Sequence, residues 1–126
     1  MSDLGIEELP PGRYAGMVEK VRYTFTATTR IFIAYRLDTP DGIRRVEETF
    51  LISAPPSSAS HYRTTHGLGR VEDILKIRGL TLDDANAAGG MRALPGMLEG
   101  VALGVVTRNQ RTAGFDCPVV VRVEKP

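Results

Sequence analysis

From Arg30 to Asp38 the chain alternates without a break. Ile31, Ile33, Tyr35 and Leu37 make one apolar set, and Arg30, Phe32, Ala34 and Arg36 make the other. A period of two is the mark of a β-strand with one face in a core. Thr39-Pro40-Asp41-Gly42 follows directly. Proline is preset for the first central position of a tight turn and glycine can take positive φ, so the chain reverses here. Ile43–Ile52 then reads as the returning strand, with Val46, Phe50 and Ile52 in one phase and Arg45, Glu47 and Thr49 in the other. Glu48 falls among the apolar positions. This hairpin commits the first half of the chain to antiparallel sheet.

The segment before it, Arg13 to about Thr26, is also strand-like, but its alternation changes phase. Tyr14, Gly16 and Val18 share one face, and Val21, Tyr23 and Phe25 share the opposite phase. An inserted residue flips every later side chain, so the slip predicts a β-bulge and a long, bent first strand.

Beyond the hairpin, Ser53–Ser60 is loop by composition. Val71, Ile74, Leu75 and Arg78 lie at helical spacing, and Gly79 stands where that helix stops. A second short helix is expected over about Leu82–Ala88, capped by Thr81, with Asp83 and Asp84 in its first turn and Gly89-Gly90 after it. Leu94–Gly100 leads into a strand from Val101 to Arg108, apolar in both phases. Asn109–Gly114 reads as a polar turn and Phe115–Glu124 as the last strand, with Phe115, Cys117, Val119, Val121 and Val123 on its core face. Pro118 cannot donate to a ladder, which puts it near a sheet edge.

The expected organisation is an arm over residues 1–12 and one domain over 13–126, with a loop and helical connection over about 53–96. Three meandering strands, a helical insertion and a final hairpin (β1-β2-β3-α-β4-β5) match the five-stranded OB-fold barrel. The face of its second and third strands, with two hairpin loops, binds oligonucleotides or oligosaccharides. A β-sandwich with a helical insert would use the same strands.

Composition removes several classes. There is no apolar run long enough for a transmembrane helix, and the acidic opening Met1–Glu8 lacks the pattern of a secretory signal. One cysteine cannot form an internal disulfide, so a cytoplasmic location is expected. The formal net charge of +1 conceals an uneven distribution. Between Pro11 and Arg45 the cations Arg13, Lys20, Arg22, Arg30, Arg36, Arg44 and Arg45 face three anions, Glu19, Asp38 and Asp41. The rest of the chain is net acidic.

No catalytic set emerges, and no enzyme activity, metal or cofactor is expected. Cys117 sits in an apolar phase, where a free cysteine packs inertly. His61 and His66 are five residues apart and have no cysteine or carboxylate cluster beside them. Glu47-Glu48 point to opposite faces of a strand, and Asp83-Asp84 fit a helix start. Gly67-Leu68-Gly69 lacks the third glycine and the Lys-Ser/Thr of a phosphate-binding loop.

The second strand carries the stronger signal. Its outward face reads Arg30, Phe32, Ala34, Arg36, an aromatic bracketed by cations at strand pitch. Single-stranded nucleic acid is held this way, with bases stacking on a ring while cations follow the phosphates. Lys20 and Arg22 from the first strand, Arg45 from the third, and Arg108 and Arg111 from the last hairpin loop complete the candidate set. An ordinary solvated sheet face is the competing explanation for the same residues.

Two segments resemble small phage and prophage single-stranded-DNA-binding proteins. One is Leu9-Pro10-Pro11-Gly12-Arg13-Tyr14, opening a strand. The other runs from Leu94 to Val105, followed by a turn and a final strand. The resemblance implies an OB-fold that coats single-stranded DNA in phage replication or recombination, often as a homo-oligomer; the stacking face taken by itself leaves RNA as the alternative ligand. The sequence departs from the pattern at Val101, where a basic residue usually follows the glycine. It also closes on Val121–Pro126 without the acidic tail that recruits replication enzymes. Carry-over is therefore limited to the second-strand face and the last hairpin loop. The alternative is a structural or protein-interaction β module of phage or bacterial origin. Oligosaccharide binding is disfavoured by the absence of Trp.

Overall fold

The computed structural model describes residues 9–25, 29–53, 69–112 and 115–126. Five strands and three helices form the fold: β1 Gly12–Phe25, β2 Thr29–Thr39, β3 Gly42–Ser53, β4 Ala102–Thr112 and β5 Phe115–Glu124. The helical connection holds α1 over residues 69–77, α2 Leu82–Ala88, a 3-10 turn Gly90–Ala93, and α3 Leu94–Leu98. All strand pairings are antiparallel, in the order β3-β2-β1-β4-β5.

The β2–β3 hairpin forms as its sequence dictates. Thr39 and Gly42 are the last ladder pair, with Pro40 and Asp41 as the two-residue turn. The Thr39 hydroxyl donates to the Gly42 carbonyl and accepts from the Asp41 amide, and Gly42 has φ +113°. Ile31, Ile33, Tyr35 and Leu37 are fully buried. The expected bulge in β1 is present: Val18 pairs with Tyr35 and Lys20 with Ala34, leaving Glu19 as the extra residue. Val18 and Val21 are consequently both buried.

The inner face of the sheet is covered by the helical connection. Val71, Ile74 and Leu75 of α1, Ala85 of α2, and Leu94 and Leu98 of α3 join the strand residues in one core. Thr81 caps α2 in a reciprocal capping box with Asp84. The segment before β4 is more helical than its sequence suggests: α3 is a single turn, too short to show periodicity, with Pro95 tolerated in its first turn. Beyond Val18, β1 leaves β4 and is held by this connection instead. Val18 exchanges backbone hydrogen bonds with Val101 and Gly100, and the Val21 amide donates to Glu99 Oε2 at 2.8 Å.

Three expectations need correction. The ladder does not close into a barrel. β3 and β5 are the two edges of an open sheet, and they approach each other without a hydrogen-bonded register among the described residues. Arg70, on α1, spans this seam, pairing with Glu48 of β3 and donating to the carbonyls of Val120 and Val121 on β5.

The β4–β5 turn is also shorter than expected. Residues Asn109–Thr112 continue β4 and pair with Phe115–Pro118. A two-stranded ribbon outside the core needs no apolar pattern, so its polar sequence reads as loop although its backbone is paired.

Cys117 is exposed rather than core. Val106 pairs with Arg122 and Thr107 with Val120, so a bulge at Val121 reverses the phase of β5. Val120 and Val123 point inward while Val121 and Cys117 face solvent. Pro118 lies on an edge strand, as its missing donor requires.

Leu9 is buried in the core and the Tyr14 hydroxyl donates to the Pro10 carbonyl, which fastens the chain to β1 from residue 9. The first eight residues of the expected arm, most of the Ser53–Ser60 loop, His61 and His66 lie outside the described residues. Among the described residues no helix is long and apolar enough to cross a membrane, and no cluster of three His, Cys, Asp or Glu side chains could hold a metal ion.

Candidate nucleic-acid interface

The side chains on the outer face of β1–β3 are ordered by register. Arg22 pairs with Phe32, which pairs with Thr49; Lys20 pairs with Ala34, which pairs with Glu47. Thr24 and Arg30 form the row beyond Phe32, and Met17, Arg36 and Arg45 the row beyond Glu19. Strand alternation thus gathers Lys20, Arg22, Arg30, Phe32, Arg36 and Arg45 on one surface. The inner set of β2 is consumed by the core, and its outer set, Phe32, Ala34 and Arg36, is only partly covered among the described residues.

Phe32 is half-buried at the centre, and the Arg22 guanidinium lies over its ring, 5.1 Å from the centroid. That contact orients both groups: the cation rests on the negative face of the ring and presents its own flat outer surface to solvent. A shallow depression of about 360 Å³ lies beside it, lined by Glu19, Lys20, Arg22, Phe32, Ala34 and Glu47.

Two of the cations already have partners. Arg45 donates to both Glu19 oxygens, Nε at 2.7 Å and Nη2 at 3.0 Å. These hydrogen bonds hold the Glu19 carboxyl below the ordinary carboxylate range and raise Arg45 above its own. Arg22 lies 3.9 Å from Glu47. Lys20, Arg30 and Arg36 make no ion pair among the described residues, although the Arg36 charge also helps to lower the Glu19 carboxyl.

The last hairpin does not join this cluster. Arg108 is exposed on β4, opposite Val119, and Arg111 lies on the same strand opposite Asp116. β1 reaches only as far as Thr107, through Gly12. Arg108 is therefore about ten residues of β1 away from Arg22, roughly 30 Å at the rise of a strand. Between them, Arg13 is held by Glu124 at 2.8 Å and by the Lys125 carbonyl, while Arg122 also contacts Glu124. The two arginines hold the Glu124 carboxyl below its usual range.

Sequence reasoning missed the counter-ions. Glu47 shares the phase of Arg45, a visible signal, whereas Glu19 reaches the face as the bulge residue. No protein-family model matches this chain and no curated protein is significantly similar to it, so the chemistry of the face rests on its own residues.

Proposed function

We propose that the outer face of β1–β3 binds single-stranded nucleic acid without catalysis and with little sequence preference. The preferred ligand is DNA, with RNA as the alternative. The observation that carries this reading is the stack of exposed Arg22 on half-buried Phe32, bracketed by Lys20, Arg30 and Arg36. Bases stack on the aromatic and guanidinium planes, and Lys20, Arg30 and Arg36, which make no ion pair among the described residues, follow the phosphates. A duplex offers no free base faces to this surface.

The strand order β3-β2-β1-β4-β5, with helices between β3 and β4, is compatible with an open OB-type scaffold. On that reading the chain serves phage-type replication or recombination, as a homo-oligomer along the strand. The second reading is a protein-interaction module, favoured by exposed Ile43 and Val121 on the two edge strands. Scattered single apolar residues are ordinary on a surface, which ranks it second.

The test is fluorescence anisotropy of a labelled oligo-dT across a salt series. With three phosphates neutralised, log K falls against log[salt] with a slope of about −2. Phe32→Ala lowers affinity by about 1–3 kcal/mol without unfolding the protein. Absence of single-strand binding at low salt overturns the reading. Light scattering with and without oligonucleotide then identifies an oligomer that ignores DNA.

A further inference from the structure

Two carboxylates form ion pairs inside the cationic face. The bulge in β1 adds Glu19 to it, and β3 supplies Glu47. Both of their ion pairs cross over β2, a span of about 10 Å between its two neighbouring strands. One runs from Arg45 on β3 to Glu19 on β1, and the other from Arg22 on β1 to Glu47 on β3. Ala34 lies between them, its small side chain leaving the depression open. The Arg45–Glu19 pair uses two parallel N–H···O bonds, the fork with which arginine also grips a phosphate. The carboxylate thus occupies the position a phosphate would take.

We propose that Glu19 and Glu47 are built-in competitors for phosphate. They keep Arg45 and Arg22 out of backbone binding and make retention of a strand depend on stacking at Phe32. This deepens, and rests on, the single-strand reading of the face. A phosphate arriving at either arginine must displace a carboxylate and leave it beside a like charge. A strand with exposed bases offsets that cost by stacking, whereas a polyanion that offers phosphates alone has no such gain. The carboxylates therefore set how much of the binding is electrostatic.

The experiment uses the full chain with labelled oligo-dT and a labelled duplex, by anisotropy across salt. Glu19→Gln with Glu47→Gln frees two cations. Binding of oligo-dT tightens at low salt, and its slope steepens by about 1.4, at roughly −0.7 per phosphate. The duplex gains more, because its slope per phosphate is about −0.9. Adding Arg45→Ala to the double variant takes back about half of the added slope. Asp38→Asn removes a carboxylate from the same face that makes no ion pair among the described residues, and leaves the slope where it was. Circular dichroism confirms that each variant is folded. The proposal is overturned if wild type binds oligo-dT but the double variant keeps the wild-type slope, or if Asp38→Asn steepens it equally. Either result leaves the single-strand reading intact, whereas failure of wild type and variants alike to bind overturns both.

Discussion

Arg70 and Glu48 pair at 3.1 Å inside the molecule, their side chains 12% and 10% exposed, and their contact joins the two edges of the sheet. Glu48 sits on the core face of β3 opposite Ile33, and its other oxygen accepts from the buried Tyr35 hydroxyl at 2.6 Å. Arg70 Nη2 reaches past Glu48 to the carbonyls of both Val120 and Val121. Successive carbonyls of a regular strand point opposite ways, and the bulge at Val121 lets two of them face one guanidinium. A side chain does at this seam what a β3–β5 ladder would do in a closed barrel.

Removing Arg70 leaves a buried carboxylate without its cation. Arg70→Met is expected to cost about 3–5 kcal/mol, the usual penalty for breaking one side of a buried pair. Adding Glu48→Gln to it should recover part of the loss, because the amide keeps an acceptor for Tyr35 and carries no charge. Urea unfolding of the two variants measures this. Equal loss in both would mean that Arg70 acts through the β5 carbonyls rather than through Glu48.

The same site sets a pH dependence of unusual sign. Burial pushes the Glu48 carboxyl above the ordinary carboxylate value of 4.5, with Arg70 and Tyr35 opposing. The folded protein therefore binds this proton more readily than the unfolded chain, and stability falls as pH rises through the window above 4.5. Relative to Glu48→Gln, wild type should gain stability as pH is lowered toward 4.5. Glu19 and Glu124 act oppositely, since their lowered values make their contribution fade as acid protonates them. Subtracting the unfolding free energies of Glu48→Gln from wild type across pH isolates the Glu48 contribution. A difference that shrinks on acidification would mean the Arg70 charge outweighs burial.

Glu48 also marks where sequence reading reached its limit. An acidic residue in an apolar phase asks for a buried cation, but nothing in the sequence singles out Arg70, 22 residues on. The β1 bulge was legible because Val18 and Val21 are apolar in opposite phases beside charged neighbours. The β5 bulge was not, because Val119-Val120-Val121 is apolar in both phases and hides a slip. Thr81 and Asp84 announced α2 through capping chemistry, whereas α3 has too few residues to show a period. On the candidate face, alternation alone placed Phe32 and its cations. The remoteness of Arg108 depends on the register of β4 on β1, which sets Gly12 opposite Thr107, and alternation along a strand carries no register.

Gly16 is required by the packing of β1 on β2. A Cβ built there would lie 2.5 Å from the Arg36 carbonyl oxygen and 3.0 Å from Leu37 Cδ2. The nearer atom is backbone in the middle of a ladder and cannot turn away. Gly16→Ala is expected to destabilise by about 1–3 kcal/mol, the range for overpacking, measured by urea unfolding. Because Arg36 lies on the proposed binding face, the variant should also weaken oligo-dT binding. Wild-type stability would show that β1 can shift without disturbing its neighbours.

The distance between Phe32 and Arg108 makes strand length a diagnostic. Arg108 lies on the part of β4 that extends beyond β1, roughly 30 Å along the sheet from the stacking centre. A short oligonucleotide of about 4 residues can occupy the Phe32 region but cannot also reach Arg108, whereas one of about 16 can span both. Arg108→Ala should therefore leave affinity for the short oligo-dT unchanged, while lowering that for the long one and flattening its salt slope by about 0.7. Phe32→Ala should weaken both. If Arg108→Ala weakens the short strand as well, the strand is centred on the β4–β5 ribbon. If it weakens neither, the ribbon lies off the path and the binding face ends at β1–β3.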